Sequence, residues 1–306
     1  MRKKQNRKSR VGWIVALAIL ACAAVLTGIM AVNAVTLHLM RATVYLEDLP
    51  PAFEGRTILF ASDIDLRTKN DAWRAAEVFD RLQVLTPDLL ILGGDYAAPG
   101  ILDLLNRTPV SQYAANTSDF RRDFFYYIKD FPATLGKVMI ASPDDLAAGD
   151  LRAIAAGNGF TLLDGGGVEL KLGGDSVWIV GLAPDTLNAS DMSHRFGQHD
   201  CVIALAHSPT QFPALMTAEA RDGGHWIDLA LAGHTHGGQI RLFGRSILTL
   251  DAREQQFLHG WNRETGVPML TTSGMGCEGA DLRLASQAEV WLITLTGQEN
   301  AVSRET

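Results

Sequence analysis

Cysteine is scarce, with three residues in 306. Cys22 lies inside an apolar run, and neither Cys201 nor Cys277 has a second thiol or histidine at metal-ligand spacing, so no thiolate metal motif is available. Two buried free thiols, or a single Cys201–Cys277 disulfide in an extracytoplasmic domain, both stay open. The chain also lacks internal repeats and low-complexity linkers. With 47% apolar and 20% charged residues, 29 Gly and 11 Pro, it is neither wholly disordered nor collagen-like. Basic charge is missing from most of it. The formal net of −7 divides into +6 over residues 1–10 (Arg2, Lys3, Lys4, Arg7, Lys8, Arg10) and −13 over the rest. A body this acidic has no Lys/Arg excess with which to displace counterions from a polyanion, so no nucleic-acid partner is expected.

Charge of either sign is absent from Val11 to Val32, 22 residues that follow the basic head. Such a run is long enough to cross a hydrocarbon core of about 30 Å. It predicts a transmembrane anchor, with residues 1–10 cytoplasmic and the remainder extracytoplasmic by the positive-inside rule. A cleaved signal peptide is the alternative, since Val32-Asn33-Ala34 resembles a cleavage site, but signal cores span only about 7–15 residues. Bulky Leu20 argues against a lipoprotein site at Cys22, and the six adjacent cations argue against a buried core helix. The chain therefore divides into a cytoplasmic segment 1–10, an anchor 11–32, a juxtamembrane segment 33–51, one globular domain over 52–298 and a tail 299–306.

Within that domain, short apolar runs bounded by turn residues predict strands at Thr57 to Ala61, Leu89 to Leu92, Val138 to Ala141, Val177 to Gly181, Val202 to Ala206, Leu229 to Ala232, Met269 to Thr272 and Val290 to Thr294. A shorter extended stretch covers Thr43 to Leu46. Helices are predicted at Asp71 to Leu82, with Trp73, Ala76, Phe79 and Leu82 on one stripe, at Leu146 to Ala156 and at Pro209 to Ala220. Ser118 to Lys129 is an aromatic-rich segment that reads either as an amphipathic helix over the core or as a lid facing lipid or substrate. Buried strands alternating with helices indicate an α/β fold with covered sheets.

Polar residues gather at the strand ends. Asp63 follows ILFAS, Asp95 follows LLILGG, Asp144 and Asp145 follow VMIASP, His207 follows VIALA, and His234 with His236 follows LALAG. In open α/β sheets the ligand crevice lies beyond the carboxyl ends of the strands, so these ends can converge. One Asp at a strand end is an ordinary helix cap and one His an ordinary half-buried residue; the joint pattern, with glycines around His234 and His236, is not. Side chains at i and i+2 of an extended segment point the same way, which pairs His234 with His236 and Asp63 with Asp65. Mixed Asp and His donors suit Mn²⁺, Fe or Zn²⁺. Two ions about 3.5–4 Å apart, bridged by Asp95, would clamp a phosphoryl group and generate a hydroxide.

The order Ser62-Asp63-Ile64-Asp65, Gly93-Gly94-Asp95, Ser142-Pro143-Asp144-Asp145, Ala206-His207-Ser208-Pro209 and Gly233-His234-Thr235-His236-Gly237-Gly238-Gln239 resembles the calcineurin-like metallophosphoesterases, and most closely a bacterial, membrane-anchored subgroup. The resemblance runs from about Val44 through Leu292. It implies a four-layer αββα sandwich, two sheets face to face with helices outside, preceded here by one transmembrane helix. It further implies that Asp63, Asp95 and His236 bind a first metal and Asp95, His207 and His234 a second. Two positions depart from the family pattern. The first motif carries Asp65 where the family has His, which would favour harder ions if Asp65 still coordinates. The third carries Pro143 and Asp144 where the family has Asn and His, so a metal ligand is lost and a carboxyl stands at the general-acid position. The same segment is also a good helix start, with Ser142 as N-cap, Pro143 at N1 and acids behind.

The expected activity is metal-dependent hydrolysis of a phosphoester, lipid-linked or of the cell envelope, by a metal-bound hydroxide, with Asp144 as general acid. The rival expectation is a degenerate member that keeps the fold as a binding or regulatory ectodomain. His38, His194, His199, His225 and His259 read as surface or locally bonded residues, and Tyr96 either packs or reaches a substrate.

Overall fold

In the computed structural model the described residues are 2–184, 189–247, 252–263 and 266–299. A continuous helix α1 (Arg2–Val35) contains the apolar run, and Val11–Val35 is long and apolar enough to cross a membrane. Strand β1 (Leu37–Tyr45) follows directly. The first sheet then adds β2 (Thr57–Ala61), α2 (Lys69–Leu82), β3 (Leu89–Leu92), the short helices α3 (Ile101–Asn106), α4 (Val110–Asn116) and α5 (Ser118–Tyr127), β4 (Gly136–Met139), α6 (Pro143–Ala147), α7 (Leu151–Gly157) and β5 (Thr161–Leu162). A second sheet is built from β6 (Gly166–Leu172), β7 (Asp175–Gly181), α8 (Ala189–Ser193), β8 (Val202–Ala206), α9 (Phe212–Thr217) and β9 (Leu229–Ala232). A hairpin β10 (Arg241–Leu242) and β11 (Arg245–Ser246), helix α10 (Ala252–Gln256), β12 (Gly260–Asn262), β13 (Met269–Thr271) and β14 (Ala288–Thr296) complete the described chain.

The sheet orders are β1-β14-β2-β3-β4-β5 and β12-β13-β9-β8-β7-β6, each with a parallel centre. Strand alternation explains the layering. In Leu89–Leu92, Leu89 and Ile91 face the second sheet's Ile179, Ile203 and Leu231, while Leu90 and Leu92 face helices carrying Phe79, Phe124 and Ile154. On the far side of the second sheet, Val202, Ala204 and Ala230 pack against Met192, Phe212 and Leu215. Both faces of both sheets are thus covered, which is why their central strands are uniformly apolar. The four-layer αββα arrangement expected from the sequence is present.

Several local expectations are corrected. Residues 33–51 do more than connect: β1 pairs in parallel with β14 over nine residues and is part of the first sheet. The buried stripe of α2 is Ala72, Ala75, Phe79 and Leu82, with Trp73 exposed. A strict spacing of three drifts about 60° per step, so Trp73 and Leu82 fall on opposite sides of the helix. The helix expected over Leu146 to Ala156 breaks at Gly149, whose φ is 78°, and that over Pro209 to Ala220 is a 3₁₀ turn followed by α9. Of the two readings of Ser118 to Lys129, the amphipathic helix over the core holds: in α5 Phe124 and Phe125 are core residues, and of its aromatic side chains only Tyr126 and Tyr127 are exposed. Cys201 and Cys277 are buried free thiols.

Register fixes where α1 leaves the domain. Leu37 pairs with Ala288, and three residues on Met40 pairs with Trp291, which pairs with Phe60 near the end of β2. The start of β1, and hence the end of α1, therefore lies at the edge where β2 and β3 terminate. Phe79 packs α2 against α5 and the segment after it, through edge contacts with Phe124 and Phe131 at centroid distances of 5.6 and 5.7 Å. Phe79→Ala should lower unfolding stability by about 3–5 kcal/mol, read as a drop in the denaturant midpoint; a change under about 1 kcal/mol would show that α2 is not packed this way.

Candidate metal centre

Each candidate ligand sits one to four residues beyond a strand, and the turns that carry them are tied together by backbone bonds. Asp63 N–H donates to Gly94 O (3.0 Å), and both Ile64 and Asp65 N–H donate to Asp95 O (2.8 and 3.0 Å). Gly233 N–H donates to His207 O (3.0 Å), joining the two turns of the second sheet. Across the sandwich, His234 N–H donates to Asp63 Oδ1 (2.9 Å). Glycine permits this closeness: a β-carbon on Gly233 would lie 2.1 Å from Ser62 Oγ and 2.7 Å from Asp63 Oδ2.

Backbone strain marks the same residues. Ten non-glycine residues in the described chain have positive φ, and five of them are Asp63, Asp65, Asp95, His234 and His236. The left-handed region is unfavourable for residues with a β-carbon, and such conformations persist where the surrounding structure and a function demand them.

Asp95, His207 and His234 offer ligand atoms that all lie within 4.8 Å of one another. Their rings and carboxylate close on one corner: His207 Nε2 is 3.2 Å from Asp95 Oδ2 and the two imidazole centroids are 5.0 Å apart. His207 Nδ1 contacts Gly93 O at 3.0 Å, which leaves Nε2 for the centre. On the other side, His236 Nε2 lies 2.8 Å from Asp65 Oδ2. Asp63 is fully buried and its Oδ2 has no hydrogen-bond partner. An orphaned buried carboxylate oxygen beside imidazole nitrogens fits a divalent cation, and an O/N donor set of this kind suits the first-row metals named above. A cleft of about 190 Å³ opens over these groups, lined also by Pro143, Asp144 and Glu278.

Charge is balanced internally. Burial raises the Asp63 carboxyl above its usual range, with Asp95 and Asp65 adding to the rise against His236 and His207. Burial opposes the charged imidazolium of His207 and His236, yet Asp95 pushes the first up to about 10 and Asp65 the second up to about 9. Without ions, protons thus occupy the places of metal charge.

The structure adds contacts that the sequence motifs do not mark. Asp145 accepts N–H bonds from Asp95 (2.9 Å), Tyr96 (3.0 Å) and Ser142 (3.0 Å), so the third motif holds the second in place. Burial and the Asp95 charge push Asp145 up to about 7 despite those donors. Asp144 accepts the Tyr113 hydroxyl, and burial together with that contact raises the phenol above its usual value. Glu254 on α10 meets His234 Nε2 at 3.0 Å. The buried Arg283 guanidinium donates to His236 O (3.2 Å) and Ser273 O (2.7 Å), fixing the turn beneath His236. Tyr96 packs, its hydroxyl bonded to Ile140 O at 2.7 Å.

Two outcomes follow. A histidine whose pKa is raised on folding stabilises fully below its unfolded value of about 6.5 and loses that contribution as the pH passes its folded value. The metal-free protein should therefore lose thermal stability as pH rises from about 7 to 10, and divalent ions added near pH 7 should release protons in a pH-stat; flat profiles in both would remove the His–Asp pairs. Asp145→Asn should leave backbone N–H groups unpaired, at about 1–3 kcal/mol each, and weaken metal uptake. Unchanged metal affinity would show that Asp145 does not position Asp95.

No family model matches the chain. It is 37% identical over 100 residues to an uncharacterized metallophosphoesterase of Helicobacter pylori, covering 32% of this chain and 24% of that one. It is 30% identical over 99 residues to an uncharacterized metallophosphoesterase of Aquifex aeolicus, covering 32% and 34%. A Bacillus subtilis protein, YpbG, is 25% identical over 252 residues, covering 79% of this chain and 82% of its own. The matched segments thus span about a quarter to a third of the relatives named for their activity. By these matches, together with the order of its motifs, the chain is a relative of the calcineurin-like metallophosphoesterases.

Proposed function

We propose that the protein is a membrane-anchored phosphoesterase that binds two divalent ions and hydrolyses a phosphoester at the outer membrane surface. The observation that carries this reading is the convergence of Asp95, His207 and His234 within 4.8 Å, beside the orphaned Asp63 Oδ2, at the mouth of an open cleft. Asp95, His207 and His234 would hold one ion; Asp63, Asp95, Asp65 and His236 would hold the other. Ions there would supply positive charge for a phosphoryl group and activate the attacking water. The chain's own part is to fix these donors before substrate arrives, through the Asp145 and Arg283 contacts. Among the described residues no Lys or Arg lines the cleft, so ions there would supply most of the charge that attracts a phosphate.

Asp144 is assigned the general-acid position. It lines the cleft and accepts the Tyr113 hydroxyl, which would orient its carboxyl toward a leaving oxygen. The membrane placement rests on Val11–Val35, flanked by six cations on one side, and on the edge at which α1 joins the domain. That edge carries the cleft, which favours a phosphoester held at lipid-headgroup level.

The full chain in detergent, supplied with Mn²⁺, should hydrolyse a chromogenic phosphodiester or monoester. Since losing even a neighbour of a metal ligand costs about 10–100-fold, Asp95→Asn should lower turnover at least about 100-fold. Absence of turnover with any divalent ion would favour a binding ectodomain that keeps only the fold. Asp144→Asn should reduce turnover by about 10²–10⁴ for alkyl leaving groups and much less for nitrophenol, which needs no proton; equal loss for both would remove the acid role.

A further inference from the structure

The β10–β11 hairpin places apolar side chains where the isolated protein gains nothing from them. Its turn is Phe243–Gly244, with φ of 52° and 81°, as the two-residue type I′ connection requires. Asn, Asp or Gly usually takes the first position, because a bulky residue there is strained. This chain carries phenylalanine instead, fully exposed at 105%, beside exposed Leu242 and Ile247 and between Arg241 and Arg245.

We propose that this hairpin enters the lipid interface next to α1, as a second membrane contact that sets the height of the cleft above the headgroups. The proposal rests on the reading of α1 as a membrane span. Continuity with α1 identifies the occupant. Arg241 N–H donates to Leu284 O (2.9 Å) and its Nε to Ala285 O (2.6 Å). The preceding residue, Arg283, donates its backbone N–H to Met30 O (3.0 Å), and its carbonyl accepts from Asn33 Nδ2 (3.3 Å). Met30 lies within the apolar span, so the hairpin stands two residues of chain away from it. A ring flanked by two guanidiniums matches a bilayer boundary, with the ring at the acyl edge and the guanidiniums at lipid phosphates.

The hairpin is also coupled to the metal centre. Ser246 Oγ donates to Gly238 O (2.9 Å) and Ile247 N–H to Ile240 O (3.0 Å), on the loop that carries His234 and His236. Lipid contact at Phe243 therefore holds that loop at a fixed depth. The substrate class it selects is a phosphoester carried in the membrane surface, rather than one diffusing freely.

The test uses the full chain in vesicles of phosphatidylglycerol and phosphatidylcholine, with a single environment-sensitive fluorophore at one of three positions. These are native Cys22 in the span, Phe243→Cys in a Cys22→Ser background, and Val84→Cys in the same background, on the exposed turn before β3 at the opposite edge. Nitroxide lipids should quench the label at 243 at least about two-fold more than at 84, with the reverse for aqueous iodide. Equal iodide quenching at 243 and 84 would overturn the proposal. So would protection from iodide without nitroxide quenching, the signature of a protein partner or second copy. Loss of quenching at Cys22 would instead overturn the span reading on which the proposal rests. Phe243→Asn, which suits the turn, should keep or raise the thermal midpoint in detergent; a fall would place Phe243 inside the protein and also overturn it.

Discussion

Burying several carboxylates at one point is the constraint around which the rest of the molecule is arranged. Asp63 and Asp65 are buried and Asp95 is half-buried at the same corner. Ionised acids so placed repel one another and lose their hydration, and each of those effects is large in a dry interior. Only positive charge offsets them. In the metal-free protein it comes as protons on His207 and His236, which the neighbouring carboxylates push up to about 10 and 9 against the effect of burial. Divalent ions would supply the same charge without protons, and would give the unpartnered Asp63 Oδ2 a partner.

The fold meets this constraint by converging two sheets on one edge. Strands whose two faces are both covered end together, and their turns are locked by bonds that run across the sandwich, as from His234 N–H to Asp63 Oδ1. The left-handed conformations of five candidate ligands are the local cost of that convergence. They are held by neighbours such as Asp145, which collects three N–H groups, and Arg283, which grips the turn under His236. Arg283 also bonds the end of α1 through its backbone, so one residue links the apolar helix and the candidate metal centre.

Much of this was legible in the sequence because it is local. Apolar runs bounded by glycine mark the strands, and acids or histidines just after them mark the converging ends. What was not legible depends on tertiary contacts between segments far apart in the chain. Asp145 reads as a helix acid, and no motif singles out Tyr113, Glu254 or Arg283; only folding sets them against Asp95, Asp144, His234 and His236. The extended stretch before Leu46 was too weakly alternating to announce a nine-residue strand. Trp73 was misplaced because apolar spacing alone, over so few turns, fits more than one helical face.

The departures at Asp65 and at Pro143–Asp144 leave the candidate cluster together in space. Asp65 still meets His236, and the trio of Asp95, His207 and His234 needs nothing from position 143. The most direct test of the central claim is to count ions. Elemental analysis of the full-length protein, dialysed against Mn²⁺ or Zn²⁺ and then freed of loose metal, should give two ions per chain and fewer in Asp63→Asn. Less than one ion per chain with every divalent metal, in protein that is folded, would contradict the account.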